Sequence, residues 1–174
     1  MKTALVTGSS GFIGRHISEK LCRQGYAVSG VDVAWREPRK NYVHHWMDCR
    51  DFFKEAITTR YDLVVHCAAI VGGRVNIENA PLSIAQDLSI DADMFNWVVR
   101  TGQPDVVYYS SSAAYPVSLQ FGNEDIRLQE TFINMQDIKT PDLTYGWVKL
   151  TGELLATHAR RAGVNVYVPR PFSG

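Results

Sequence analysis

A tyrosine and a lysine four residues apart, Tyr145 and Lys149, are the side chains best suited to chemistry, and three hydroxyls, Ser110-Ser111-Ser112, precede them in the chain. On a helix, positions four apart share a face, which sets the phenol beside the ammonium. A phenol ordinarily titrates at about pH 10, too high to accept a proton readily at neutral pH, but a neighbouring positive charge favours the phenolate. The pair therefore suits general acid/base work on a hydroxyl or carbonyl oxygen, with a serine hydroxyl holding that oxygen in place. Two ordinary residues of a helix face would read the same way. What decides between these readings is the set of elements that positions the pair.

The opening of the chain supplies the first such element. Leu5-Val6-Thr7-Gly8-Ser9-Ser10-Gly11-Phe12-Ile13-Gly14 reads as a buried strand turning sharply into a helix. Gly8 permits the tight turn, Gly11 the close approach of a diphosphate to bare backbone, and Gly14 close packing of helix on strand. Unpaired N–H groups and the positive end of the helix dipole then face the phosphates. The first gap is one residue longer than in Gly-x-Gly-x-x-Gly. Ile13, Ile17 and Leu21 keep a helical spacing that stops at Gly25.

A second strand, Ala27-Val28-Ser29-Gly30-Val31, ends in Asp32, where an acid is placed to bond the adenosine ribose hydroxyls. A carboxylate there favours NAD and repels the extra phosphate of NADP. Arg36, Arg39 and Lys40 follow it and either offset that repulsion, which keeps NADP as the alternative, or are solvated loop charge.

The remaining elements alternate. A polar loop over 34–42 leads to a third strand over 43–47 ending at Asp48. This acid, with the Cys49 backbone, either meets an adenine amino group or caps a helix over 51–57. A buried parallel strand over 62–69 opens into the small run Ile70-Val71-Gly72-Gly73, which leaves room for a ligand. Asn79-Ala80-Pro81 starts a helix with Ile84, Leu88, Phe95 and Val99 on one face, halting at Gly102. A strand over 105–109 delivers the three serines. Residues 116–141 are polar and irregular, a length typical of functional or disordered loops. A helix over 142–162 turns Val148, Leu155 and Ala159 to the core, and a strand over 164–168 closes the series. This order predicts an α/β fold with a doubly wound, mostly parallel sheet, helices on both faces and a ligand across the carboxyl edge of the strands.

Composition bounds the partners. A chain of 174 residues with zero formal net charge predicts a single domain and no nucleic-acid surface. No apolar run approaches the roughly 20 residues of a membrane span and no leader is visible, so a cytoplasmic location is expected. Cys22, Cys49 and Cys67 fit neither a zinc site nor a disulfide framework and read as thiols. The histidines form no metal site: His44 and His45 point to opposite sides of an extended segment, and His158 belongs to a helix.

As an ordered set, these motifs run the length of the chain and resemble the Rossmann-like NAD(P)-binding domain of the extended short-chain dehydrogenase/reductases, the group of nucleotide-sugar epimerases, dehydratases and reductases. The matching pieces are Thr7-Gly8-Ser9-Ser10-Gly11-Phe12-Ile13-Gly14, Asp32, Asp48, His66-Cys67-Ala68-Ala69, Ser110-Ser111-Ser112-Ala113-Ala114-Tyr115, Tyr145-Gly146-Trp147-Val148-Lys149 and Arg170-Pro171-Phe172. The resemblance implies that Gly8, Gly11, Phe12, Ile13 and Gly14 hold the diphosphate and Asp32 the ribose. It gives Asp48 and Cys49 to the adenine and Ala68 and Ala69 to the cofactor channel. Tyr145 becomes the acid/base, Lys149 its tuning charge and a nicotinamide-ribose ligand, and Ser111 the catalytic serine, with Ser110 or Ser112 as substitutes in a shifted loop. The implied activity is NAD-dependent epimerisation or oxidoreduction of a nucleotide sugar. An NADP-dependent reductase of the GDP-fucose synthase type, or a dinucleotide-binding module without turnover, is the alternative. Pairing of two copies through the helices from Asn79 and Asp142 is implied as well.

Four departures narrow the resemblance. Ser112-Ala113 replaces the Asp-Glu pair of the 4,6-dehydratases, and Ala113 replaces the cysteine of the GDP-mannose 3,5-epimerases. Asp87 stands where asparagine is frequent. The further substrate-binding part that follows Arg-Pro-Phe in extended members is expected to be absent.

Overall fold

The computed structural model describes residues 1–70, 73–120 and 126–172. Val71 and Gly72 of the small-residue run, residues 121–125 of the irregular stretch, and Ser173 and Gly174 lie outside the described residues.

Six strands form one sheet: β1 (Thr3–Thr7), β2 (Ala27–Asp32), β3 (Tyr42–Trp46), β4 (Leu63–His66), β5 (Asp105–Tyr108) and β6 (Asn165–Tyr167). All pair in parallel, as the alternation of elements predicts, and they stand in the order β3-β2-β1-β4-β5-β6. The helices are α1 (Phe12–Arg23), α2 (Cys49–Glu55), α3 (Gly73–Asn79), α4 (Pro81–Ala85), α5 (Asp87–Thr101) and α6 (Leu143–Arg161). The chain winds one way from β1 through β3 and the other way from β4 onward, so the carboxyl ends of β1 and β4 diverge into a crevice, where ligands of such sheets bind.

Period-2 side-chain alternation feeds two cores. Leu5, Val31, Val64 and Val106 face Phe53, Met94, Trp97 and Ala159 on one side, while Ala4, Val6, Val28 and Val65 face Leu21 on the other. Each such apolar side chain contributes about 1.5–3 kcal/mol by leaving water. Trp97 stacks on Phe53 at 5.2 Å and donates its indole N–H to Ala56 O at 2.7 Å, which ties α5 to the end of α2. The three cysteines are free thiols. His45 packs edge-on against Phe52 while His44 bonds the Tyr42 hydroxyl, on opposite sides of β3 as expected. No helix among the described residues is long and apolar enough to cross a membrane, and no group of three His, Cys, Asp or Glu side chains there is arranged to hold a metal.

Several boundaries differ from the sequence expectation. The strand expected over 43–47 is Tyr42–Trp46, that over 62–69 is only Leu63–His66, and that over 164–168 is Asn165–Tyr167. The single helix expected from Asn79 is instead two pieces, α4 and α5, the second starting after Gln86, and a further helix, α3, ends at Asn79. Leu88 and Val99 are exposed, whereas Ile84 and Phe95 are buried as expected. Asp87 and Asp91 take the buried face beside Met94 and Val98, positions that apolar periodicity passes over. Leu155 is half-buried against the core. Asp48 does cap a helix, but one starting at Cys49 rather than at 51.

Candidate functional site

The glycine loop presents bare backbone to the crevice. Gly8 has φ 64°, and a Cβ on it would lie 2.7 Å from the Cys67–Ala68 peptide, so the turn after β1 is pressed against the exit of β4. A Cβ on Gly14 would strike the carbonyl of Gly8. Gly11 caps α1 without any side-chain acceptor, and the first turn of α1 carries no acidic residue. The first N–H groups of α1 therefore lack a side-chain partner, the arrangement that receives an anion.

Asp32 ends β2 beside this loop. Its Oδ2 accepts from Ser10 N at 2.9 Å and its Oδ1 from Ala34 N at 2.8 Å, which fixes the carboxylate and leaves a second lone pair on each oxygen. Asp48 Oδ1 accepts from Arg50 N at 2.8 Å and Nε at 3.0 Å, and Oδ2 from Arg50 Nη2 at 2.6 Å. The guanidinium holds this carboxyl below the usual carboxylate range. Gly8, Gly11, Phe12, Ile13, Gly14, Asp32, Asp48, Cys49, Ala68 and Ala69 all line one cleft of about 660 Å³. Burial pushes the Cys49 and Cys67 thiols up to about 12, so both stand at that cleft as neutral groups.

Ser111, Tyr145 and Lys149 lie outside the lining of that cleft, at the neighbouring strand exits. Tyr145 and Lys149 stand one turn apart on α6. Lys149 is 4% exposed, with Nζ 5.3 Å from the centroid of the Tyr108 ring and 5.8 Å from that of Tyr145. Ser111 caps a short 3-10 turn over Ser112–Ala114, accepting from Ala113 N at 3.2 Å and keeping its own proton to donate. Ala113 O accepts from Asp142 N at 2.9 Å, which pins this turn to the start of α6. Ser110 is committed elsewhere: its hydroxyl donates to Glu153 Oε1 at 2.6 Å.

Sequence reasoning missed two buried polar systems around these groups. Glu153 sits one turn beyond Lys149 and grips Arg170, a match hidden by the distance between them in the chain. Asp91 takes the Tyr108 hydroxyl at 2.6 Å and His66 Nε2 at 3.3 Å, and His66 Nδ1 meets Thr7 Oγ1 at 2.8 Å. The spacing of Asp87 and Asp91, four apart on an otherwise apolar helix, was the available signal. Asp87 is fully buried: its Oδ1 accepts from Ile70 N at 2.6 Å, and its Oδ2 has no hydrogen-bond partner among the described residues. Burial raises its carboxyl to about 6 against the opposing pull of the Ile70 N–H and the Lys149 charge.

Arg36 is not free loop charge. Its Nη1 donates to Ser9 O and its Nη2 to Glu19 Oε1, both at 2.9 Å, and its guanidinium lies 5.0 Å over the Tyr42 ring.

Residues 4–174 match the model of the NAD dependent epimerase/dehydratase family. The chain is 26% identical to a UDP-glucuronate 4-epimerase of Thermodesulfobacterium geofontis, over 97% of this chain and 55% of that protein. It is 28% identical to a dTDP-4-dehydro-6-deoxy-D-allose reductase of a Streptomyces species, over 98% and 55%. It superposes on the crystal structure of a UDP-galactose 4-epimerase with a TM-score of 0.75 at 28% identity, covering 98% of this chain and 55% of that one. The chain thus spans about half the length of the curated relatives it matches.

Proposed function

Since the chain belongs to the NAD dependent epimerase/dehydratase family, we propose that it is the NAD-binding part of an epimerase or oxidoreductase that acts on a nucleotide sugar. The observation that carries this reading is the convergence of an uncapped glycine loop and a fixed Asp32 on one cleft, with Tyr145, Lys149 and Ser111 at the adjoining strand exits. The residues fit the cofactor: Gly8, Gly11, Phe12, Ile13 and Gly14 hold the diphosphate, Asp32 the ribose hydroxyls, Asp48 and Cys49 the adenine end, and Ala68 and Ala69 the channel floor. When bound, NAD supplies the acceptor and donor of hydride.

The chain's own residues handle the proton. Tyr145 removes it from a sugar hydroxyl and returns it at the end of the cycle. The Lys149 ammonium, buried against both aromatic rings, stabilises negative charge on the phenol oxygen and bonds the nicotinamide ribose. Ser111, whose hydroxyl proton is available, holds the same sugar oxygen, and Ser110 is excluded from this role by its bond to Glu153. NAD is favoured over NADP because the Asp32 carboxylate repels a 2′-phosphate and Arg36 is bonded away from it. The similarity to a dTDP-sugar reductase supports one-way reduction as the second reading. Exposed Leu88 and Val99 on α5 and Trp147 and Leu154 on α6 support pairing of two copies through these helices.

Calorimetric titration with NAD and with NADP tests the reading. NAD binding that Gly11→Val and Asp32→Ala both weaken supports it; absence of binding of either dinucleotide to the wild-type chain overturns it.

A further inference from the structure

We propose that Glu19 is a cofactor-specificity residue: by latching Arg36 beneath the glycine loop, it keeps the guanidinium away from the adenosine ribose and so makes the chain prefer NAD to NADP. This rests on the dinucleotide reading above.

Arg36 lies on the loop that leaves Asp32, the region from which an arginine accommodates a 2′-phosphate in folds of this kind. Its side chain is nonetheless only 11% exposed. It lines a separate cavity of about 280 Å³ with Glu19, Arg39 and Lys40, and it does not line the dinucleotide cleft. The ribose position is nevertheless close. Ser9 O accepts from Arg36, and the amide of the next residue, Ser10, donates to Asp32.

Among the described residues, Glu19 is the one charged partner of Arg36. The other two contacts, a carbonyl and the Tyr42 ring face, are neutral. Arg39 reaches the same Glu19 oxygen only at 3.8 Å and is 61% exposed, so it contributes little to the latch. A phosphate dianion is a better partner for a guanidinium than either neutral group, because charged acceptors give shorter, two-point bonds. Neutralising Glu19 removes the strongest competitor and frees Arg36 for the phosphate.

The test is calorimetric titration of the whole chain with NAD and NADP, comparing wild type, Glu19→Gln, Arg36→Ala and the double variant. Glu19→Gln is expected to leave NAD affinity unchanged and to strengthen NADP binding by about tenfold, the worth of one charge-assisted contact. The double variant is expected to lose that gain. Arg36→Ala alone leaves NADP affinity where it was, because the arginine is held off the ribose. A gain in NADP binding of less than about fivefold in Glu19→Gln, or one that survives removal of Arg36, overturns the latch. So does a loss of NADP affinity in Arg36→Ala, since the arginine would then already touch the phosphate. NAD binding with an unchanged NADP ratio overturns the latch alone; failure of the wild type to bind NAD overturns the dinucleotide reading and the latch with it.

Discussion

Glu153 holds Arg170 in a two-point pair, Nε to Oε1 at 2.8 Å and Nη2 to Oε2 at 2.7 Å, and the same Oε1 takes the Ser110 hydroxyl at 2.6 Å. One carboxylate on α6 thereby fastens the segment leaving β6 and the segment leaving β5. Both run toward Ser111.

Breaking that pair from one side leaves an uncompensated buried charge. Glu153→Ala leaves the half-buried Arg170 guanidinium, 17% exposed, without its carboxylate, and is expected to lose about 1.5–3 kcal/mol of stability in urea denaturation. Glu153→Gln, which keeps the shape and an acceptor for Ser110, loses less. Equal losses for the two variants would mean that the lost charge alone sets the cost, and no loss in either would refute a role for the pair.

Asp87 sets a pH dependence of stability. Its folded carboxyl titrates at about 6 against a model value of 3.8. Between those values the folded chain keeps a proton that the unfolded chain has released, so stability falls as pH rises through the window and stays lower above it. At roughly 1.4 kcal/mol per pKa unit the loss is about 3 kcal/mol. Asp87→Asn has no such proton, and its melting temperature should gain on the wild type from pH of about 4 to 6. Parallel melting curves for the two proteins would refute this.

The glycines of the loop are not equivalent. Alanine at Gly14 meets the Gly8 carbonyl, while at Gly11 it only crowds the same oxygen at 3.3 Å. Gly14→Ala is expected to lower stability by about 1–3 kcal/mol or more. Gly11→Ala should keep its stability and weaken NAD binding. Calorimetric melting beside NAD titration separates the two effects.

Tyr145→Phe keeps the ring under Lys149 and removes the phenol. Interconversion of the two epimers of a nucleotide sugar, followed by separating substrate from product, is expected to fall by about 10²–10⁴-fold with NAD affinity unchanged. Full activity in this variant would exclude Tyr145 as the acid/base.

Trp147 is 47% exposed on α6, beside the exposed face of α5. If two copies pair there, Trp147→Glu shifts the chain to monomer in sedimentation, whereas a wild-type monomer removes the proposal.

The glycine turn, the acid ending the second strand and the parallel, doubly wound sheet were legible because each is written locally or in the alternation of elements: a short apolar run, a turn residue, an acid at a strand tip. The restart of α5 after Gln86 was not, since no glycine or proline marks it and Leu88 and Val99 continue a plausible stripe. The Arg36–Glu19 and Glu153–Arg170 pairs were hidden for another reason. Their members lie 17 residues apart in each case, and charge alone does not say which carboxylate a guanidinium will find. Asp87 was visible only as an unusual residue. Its orphaned oxygen required the fold.

Gly8 backs onto Cys67 and Ala68, and Thr7 bonds His66 across a sequence separation of 59 residues. The shape of the glycine loop is therefore not a property of the first strand and helix by themselves. During synthesis, β1, β2 and β3 can assemble early, but the loop gains its second wall only when β4 has emerged and inserted beside β1. Long-range parallel pairing of this kind is a slow step in folding. Were the proposed dinucleotide to bind only the completed wall, it would pull that step forward by mass action, stabilising the growing chain at the moment its two halves meet.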